Sequence, residues 1–528
     1  MSEEQDNIPA GWIKTPLKEI IPSSGVFCDG DWVESKDQDP NGDVRLIQLA
    51  DIGDGKFINK SDRYLTKNKA RELNCTFLET DDLLIARMPD PLGRACVFPL
   101  EGYEKYVTVV DVCMIRVAEE FFAKKFLMYL INSPTIRKLI DIYKSGSTRK
   151  RISRGNLAKV FLPIPPLAEQ HRIVDKIEEL FSDLDDGIAS LKKAQQQLKV
   201  YRQAVLKWAF EGKLTAQWRE EQKRQGKLES AETLLAQIKA EREQRYHQEL
   251  AQWQANVETW EAHGKVGKKP GKPNKLKEVE PLTVEDISEL SELPKEWKWI
   301  RLGHVFRVCV GSTPSRKEGT YWGGDVHWVS SGEVAFCKIF STRETITQLG
   351  LQNCSTEVHP PGTVMLGMIG EGKTRGQSAI LMTSAAHNQN TAAIRVSETG
   401  CSSELLYYYF YYQYQKTREI GSGNNQKALN KDRVEHLTYP LCYVKGQLEI
   451  IQEIESRLSI CDSFDATIAE NLDRAEALRQ SILKQAFEGK LVPQDPNDEP
   501  ASVLLERIRA SKAAQAEDNK QTKRKQSL

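Results

Sequence analysis

Residues Gly367-Met368-Ile369-Gly370-Glu371-Gly372-Lys373-Thr374 match the phosphate-binding loop pattern letter for letter, and an apolar stretch precedes them. In such a loop, backbone N–H groups and a lysine cradle phosphates at the start of a helix. Here the continuation, Arg375 to Met382, reads as a turn and a second strand. No apolar strand ends in an aspartate placed to hold magnesium. The residues therefore favour a β-turn presenting two cations, Lys373 and Arg375, with nucleotide binding at 367–374 as the alternative.

A second stretch, Lys144 to Arg154, carries five cations, Lys144, Arg149, Lys150, Arg151 and Arg154, and no acid. Small turn-forming residues beside arginines suit phosphate contacts and forked contacts to guanine. At an offset of 277 residues the chain places Asn424, Asn425, Gln426 and Lys427, exchanging arginines for amides. Asn and Gln favour adenine as Arg favours guanine. Both loops are candidate DNA contacts, against the plainer reading of solvated loops.

Other chemistry is thin. The eight histidines lie far apart, and His-Glu-x-x-His, Gly-x-Ser-x-Gly and Gly-x-Gly-x-x-Gly are absent from the sequence. So are the Pro-Pro-aromatic motifs of an amino-methyltransferase. Glu-Gly-Lys recurs at Glu211, Glu371 and Glu488. Two of these copies end helical runs, where glycine caps and lysine complements the dipole. Tyr407 to Tyr414 could stack bases, but its counterpart Leu127 to Ile131 reads as a buried helix face, so core packing is favoured. The sequence predicts no catalytic residue and no metal ligand set.

With 74 basic and 74 acidic residues among 528, any nucleic-acid surface must be local. Ten cysteines without a Cys-x-x-Cys pair fit reduced thiols. The acidic start, Met1 to Asp6, has no apolar core for a signal peptide, and no apolar run approaches the roughly 20 residues of a membrane span. A cytoplasmic protein is expected.

The elements that must position these loops come twice. Arg202-Gln203-Ala204-Val205-Leu206-Lys207 returns as Arg479-Gln480-Ser481-Ile482-Leu483-Lys484. Each copy closes a heptad-patterned run. Steps of four and three give Ile173, Ile177, Leu180, Leu184, Gly187, Leu191, Ala194, Leu198, Tyr201 and Val205. The same offset gives Ile450, Ile454, Arg457, Cys461, Phe464, Ile468, Asn471, Ala475, Leu478 and Ile482. Such seams predict helices of roughly 35 to 40 residues, on the order of 50 to 60 Å, buried against each other as an antiparallel coiled coil. The alternative is two helices each packed on its own head. Ahead of each seam lies a mixed segment opening with Pro-x-x-Trp, at Pro9 and Pro294. Predicted strands are 44–49, 83–86 and 107–117 in the first half, and 326–329, 364–366 and 392–396 in the second, followed by helices over 121–143 and 404–420. A charged helix is predicted over 229–261, its 231–240 echoed by 501–510. Gly264 to Lys277 reads as a linker, and the tail after Ala513 as disordered.

Leu162-Pro163-Ile164-Pro165-Pro166-Leu167-Ala168-Glu169-Gln170, then Arg202 to Leu206, then Gly212-Lys213-Leu214-Thr215-Ala216-Gln217-Trp218-Arg219, together resemble the specificity subunit of Type I restriction-modification systems. The second copy departs at Tyr439 to Gln447. The resemblance implies an α+β chain with two target recognition domains separated by two long helices about a pseudo-two-fold axis. The expected segments are 1–165 and 293–442 for the domains, 166–219 and 443–492 for the helices, 220–292 for the charged helix and basic linker, and 493–528 for a short helix and tail. It implies that each domain reads half of a split site in double-stranded DNA. The helices would set the spacing and dock two methyltransferase subunits, and two motor subunits would complete the complex. S-adenosylmethionine, ATP and magnesium would belong to those partners and no cofactor to this chain. A structural coiled-coil adaptor remains the non-reading alternative.

Overall fold

The computed structural model describes residues 8–88, 91–146, 150–267, 269–273, 275, 278–370, 372–419 and 428–526, with backbone alone over 516–526. Two compact units emerge: Met1–Lys193 with Ile468–Leu528, and Ala194–Thr467. They cut across the six consecutive segments expected from sequence, because each head is completed by a piece of chain from the other half.

In the first unit a four-stranded antiparallel sheet runs in the order Val26–Asp29, Val112–Arg116, Leu83–Ala86, Ala95–Val97. Leu83–Ala86 is buried on both faces. Successive strand residues point to opposite sides, so Leu83 and Ile85 join the helical core while Leu84 and Ala86 join a second core with Phe98 and Met114. A three-stranded sheet, Tyr64–Leu65, Val44–Ile47, Tyr106–Thr108, stands beside it. The helix expected over 121–143 is two, Lys124–Asn132 and Pro134–Ile142. Proline holds its predecessor out of the helical region; Ser133 is extended, and its hydroxyl accepts from the Ile136 N–H to start the second helix.

The second unit repeats the plan. Its sheet runs Arg307–Val310, Thr391–Arg395, Val364–Gly367, Ser378–Leu381, with Cys337–Ile339 added at the edge. The smaller sheet is Glu344–Ile346, Trp322–Val329, Ala385–His387, and the main helix is Ser403–Glu419. Tyr409 and Phe410 are buried in it, and Phe336 makes edge contacts with Tyr407, Tyr411 and Tyr414. The tyrosine run thus packs the core, as its first-half counterpart does.

The long helices are Leu167–Phe210 and Val444–Phe487, 44 residues each. In the first unit Arg479 Nη2 lies 2.6 Å from Asp185 and its guanidinium 4.6 Å over the Phe181 ring. In the second, Arg202 pairs with Asp462 and Asp465, both at 2.7 Å. In each unit, then, residues of the two long helices pack against one another. Arg202 and Arg479 are equivalent positions of the repeat, as are Asp185 and Asp462, so one ion pair is made twice.

The seam needs correction in two places. Ile173, Ile177, Ile450, Ile454, Ile468 and Ile482 are buried, and Leu180, Leu184, Leu191 and Leu198 are partly so. Phe464 and Leu478, however, are 57% and 48% exposed. The partly buried positions there are Asp465 and Arg479, one residue on. In the first helix Ile188 and Arg202 likewise replace Gly187 and Tyr201. Charged pairs occupy places that a hydrophobic count assigns to their apolar neighbours.

Each helix ends in the same cap. Gly212 and Gly489 have positive φ, and Lys213 and Lys490 donate back to the carbonyls of Trp208 and Gln485 at 2.7 and 2.8 Å. This is a glycine C-terminal cap, and it accounts for two Glu-Gly-Lys copies without catalysis. A Cβ at Gly212 would lie 2.4 Å from Pro294 Cγ, and one at Gly489 2.1 Å from Pro9 Cγ. Each helix end thus meets the opening proline of a head within its own unit. The echoed helices finish the closure: Ala231 N–H donates to Glu296 O at 2.8 Å and Ala501 N–H to Gly11 O at 2.9 Å. The charged helix is Ala231–Ala262, and the described linker residues Pro270 and Gly267 lie against it, their carbonyls accepting from Trp253 and Trp260. The tail expected to be disordered after Ala513 is helical through Ala501–Gln526. Its Ala, Lys, Gln and Glu are strong helix formers, and Lys512 donates to the Lys18 carbonyl at 3.0 Å.

Gln170 and Gln447, equivalent and fully buried, show that the altered second copy keeps the working residue. The Gln170 amide accepts from Ala123 N–H and donates to Pro165 O; Gln447 accepts from Ser402 N–H and donates to Cys442 O. The shifted seam is tested by truncation: Ile482→Ala is expected to cost about 2–4 kcal/mol and Leu478→Ala about 0.5 kcal/mol or less, read as urea-unfolding midpoints. Equal losses would restore the seam through Leu478.

Candidate nucleic-acid interface

In the first head, the cationic loop is closed at its base. Ser145 and Arg151 exchange backbone hydrogen bonds at 2.9 and 3.0 Å. Ile152, fully buried, anchors the chain and donates to Arg87 O at 3.1 Å. Ser153 then caps the short helix Arg154–Leu157. Arg87 follows the strand Leu83–Ala86, and its N–H donates to Asp111 O at 2.9 Å. Three loops thus meet at one sheet edge.

At that edge Asp29 faces two guanidiniums, Arg87 Nε at 3.3 Å and Arg154 Nε at 3.7 Å. Arg154 also donates to Phe27 O at 3.2 Å and is 45% exposed. It is therefore held in place yet open to solvent. Lys150 and Arg151 are exposed, and Arg149 lies outside the described residues. Nearby Asp31 is half-buried, and that desolvation pushes its carboxyl up to about 6 against the opposing Thr76 N–H bond.

The second head repeats the wiring with other side chains. Leu429, 277 residues after Ile152, is buried and donates to Met368 O at 3.0 Å. Met368 in turn donates to Asn390 O at 2.9 Å. Asn430, at the place of Ser153, caps the helix Lys431–Glu435. Asn424, Asn425, Gln426 and Lys427 lie outside the described residues.

The described residues of the motif, 367–370 and 372–374, connect antiparallel strands Val364–Gly367 and Ser378–Leu381, so among the described residues the motif leads into a strand and opens no helix. The nucleotide-binding alternative fails on that point, since the phosphate needs a helix start. The turn is strapped to the helix Ser403–Glu419: Tyr414 donates to Lys373 O at 2.6 Å and Arg418 to Gly372 O. Lys373 is exposed. Arg375 is 7% exposed and donates to Arg418 O at 2.7 Å, so it secures the turn and does not face solvent as the sequence suggested.

Cys309, Glu357 and His359 bring donor atoms within 4.8 Å of one another. Two arginines hold this cluster. Arg395 donates to His359 Nδ1 at 3.1 Å and to Glu357 at 2.9 Å, and Arg307 lies 3.5 Å from Glu357. The carboxylate and the imidazole lone pair are thus engaged by guanidinium, which serves as the cation. Arg116 makes the matching strut in the first head, with Asp82 and Glu79.

The groups that sequence reasoning missed are Arg87, Asp29 and the turn Asn388-Gln389-Asn390. They belong to no motif, and their spacing along the chain carried no signal; strand pairing alone brings them to the loops.

Two heads of one design, each offering a different polar edge and joined by paired helices, define a paired-head recognition protein. The family described as Type I restriction modification DNA specificity domain matches residues 9–199 and 294–474. The chain belongs to this family: it is a non-catalytic specificity subunit whose part is DNA sequence recognition. It is 22% identical to the Type I restriction enzyme EcoKI specificity subunit of Escherichia coli K12, over 96% of this chain and 97% of that one. To the StySPI specificity subunit of Salmonella potsdam it is also 22% identical, over 98% of both. Its fold matches the crystal structure of the HsdS subunit from Thermoanaerobacter tengcongensis with a TM-score of 0.52 at 18% identity, covering 93% of this chain and 100% of that one. A structure reported for assembly and conformational transition of a type I R-M system gives 0.60 at 18% identity, over 92% and 100%. No helix among the described residues is long and apolar enough to cross a membrane.

Burial pushes His387 down to about 4 and His359 to about 2, the latter helped by the repulsion that protonating both neighbouring rings would bring and by the Arg395 guanidinium. Both imidazoles fold neutral, so the unfolded chain binds protons that the fold refuses. Their stabilisation is whole above about pH 6.5 and is lost as pH falls, by about 1.4 kcal/mol per pH unit for each group, ending near pH 4 for His387. Hydrogen exchange of Ala385–Arg395 measured from pH 7 to pH 4 is expected to show this slope, and His387→Gln to remove one proton's worth. An unchanged slope would refute the assignment.

Proposed function

We propose that each head reads one half of a bipartite, asymmetric DNA site, the first through the edge at Lys150, Arg151 and Arg154 and the second through the edge at Lys373 and Asn388 to Asn390. The observation that carries this reading is the repeated wiring. Ile152 on Arg87 and Leu429 on Met368 build the same loop junction, while the side chains around it differ. A shared scaffold with divergent polar edges suits two different half-sites.

The paired helices fix the unread gap and dock two methyltransferase subunits, and two motor subunits complete the assembly. S-adenosylmethionine, ATP and magnesium act on those partners; this chain binds DNA and carries none of them. The complex works in the cytoplasm. A coiled-coil adaptor would need no such edges, and the second reading is set aside on that ground.

The test is to purify the chain with its methyltransferase partner and map adenine methylation across a random DNA library. One split motif is expected, changing in one half when residues 1–160 are exchanged for those of a relative and in the other when 294–440 are exchanged. Arg151→Ala should either relax one position by about 1–3 kcal/mol, if it reads a base, or weaken all DNA evenly and lower the salt slope, if it touches phosphate. Leu184→Asp should disturb assembly instead. Unpatterned methylation would refute the reading.

A further inference from the structure

The turn Asn388-Gln389-Asn390 is built more rigidly than a strand connection requires. It joins Ala385–His387 to Thr391–Arg395 at the edge where Met368 and Leu429 meet. Asn388, 7% exposed, donates its N–H to Val329 O at 3.1 Å, and its side-chain oxygen accepts the Asn390 N–H at 3.0 Å. Thr391 Oγ1 donates to Asn388 O at 3.2 Å and lies 2.8 Å from His387 Nδ1. From the other side the chain at Gly311 lies flat on the turn, so close that a Cβ there would be 1.9 Å from His387 O. The backbone is held from several directions, and the side chain that stands out is Gln389.

Gln389 is exposed, yet it is not free to swing. Thr313, three residues past the strand Arg307–Val310, donates its hydroxyl to Gln389 Oε1 at 2.6 Å. That bond selects a rotamer before DNA arrives. It occupies one lone pair of Oε1, leaving the second lone pair and both Nε2 hydrogens. An oxygen acceptor beside a nitrogen donor is the pattern that takes adenine, accepting from N6–H and donating to N7 in the major groove.

The first head lacks this device. Arg87 N–H donates to Asp111 O as Met368 N–H donates to Asn390 O, which places Val110 where the second head has Gln389. The same backbone position carries an apolar side chain in one head and an oriented amide in the other.

We propose that Gln389 reads an adenine in the second half-site, with Thr313 as its positioning residue. This rests on the reading of the two edges as DNA contacts. The test uses the full chain in complex with its methyltransferase partner on the same random library. Gln389→Ala should lower the preference for adenine at one position of the second half-site by on the order of 10-fold or more, with the first half unchanged. Gln389→Glu should turn that position toward cytosine, whose N4 donates to a carboxylate. Thr313→Val should weaken the same position, and Thr313→Ser, which keeps the hydroxyl, should preserve it. If Gln389→Ala leaves every position as it was, or weakens the whole second half evenly, the assignment is overturned while the two-head reading stands. Unpatterned methylation by the unmodified chain would overturn both.

Discussion

The ion pair that Arg202 makes with Asp462 in one unit, and that Arg479 makes with Asp185 in the other, is the constraint around which the molecule is arranged. It is an unusual choice for a helix seam, since apolar residues lie one position away. Part-exposed pairs of this kind add little net stability, about 1 kcal/mol or less. What they add is register. A hydrophobic seam tolerates slippage by a turn, whereas an arginine that meets its aspartate in only one alignment does not. Phe464 and Leu478 are left facing solvent as a result, which marks where alignment outweighed burial.

From that alignment the closure of each head follows. A glycine cap ends each long helix against a proline that opens a head within its own unit, and an echoed helix then donates to the backbone beside the head's first tryptophan. Buried glutamines at equivalent positions brace the start of both long helices. These features are chemically the same in the two halves, although overall composition has drifted. The polar edges are where the halves part. The first head's edge carries arginines held by Asp29 and the second head's carries amides held by Thr313 and Asn388, so the scaffold is shared and the contact chemistry is not.

The same logic explains why tempting chemistry dissolves. A phosphate-loop motif without a following helix has no dipole to offer an anion. A cysteine, a glutamate and a histidine in contact are engaged by two guanidiniums, which supply the positive charge. Glu-Gly-Lys at a helix end is a cap. In each case the neighbouring element, and not the residue types, decides what the group can do.

The duplication, the mixed heads, the strands at 83–86 and 364–366, the long helices and the family were legible in the sequence, because repeats, apolar periodicity and turn residues are local patterns. So was the equivalence of the two loop junctions, through the offset that aligns Ile152 with Leu429. Tertiary structure alone decided which face of the helices is inward at 464 and 478, since a charged pair across helices is invisible to a count of apolar positions. It also decided that Arg375 is inside, that the tail is helical and completes the first head, and that Thr313, 76 residues from Gln389, holds the amide. Contacts between distant strands are set by pairing register, and register depends on the whole sheet, not on any one stretch of chain.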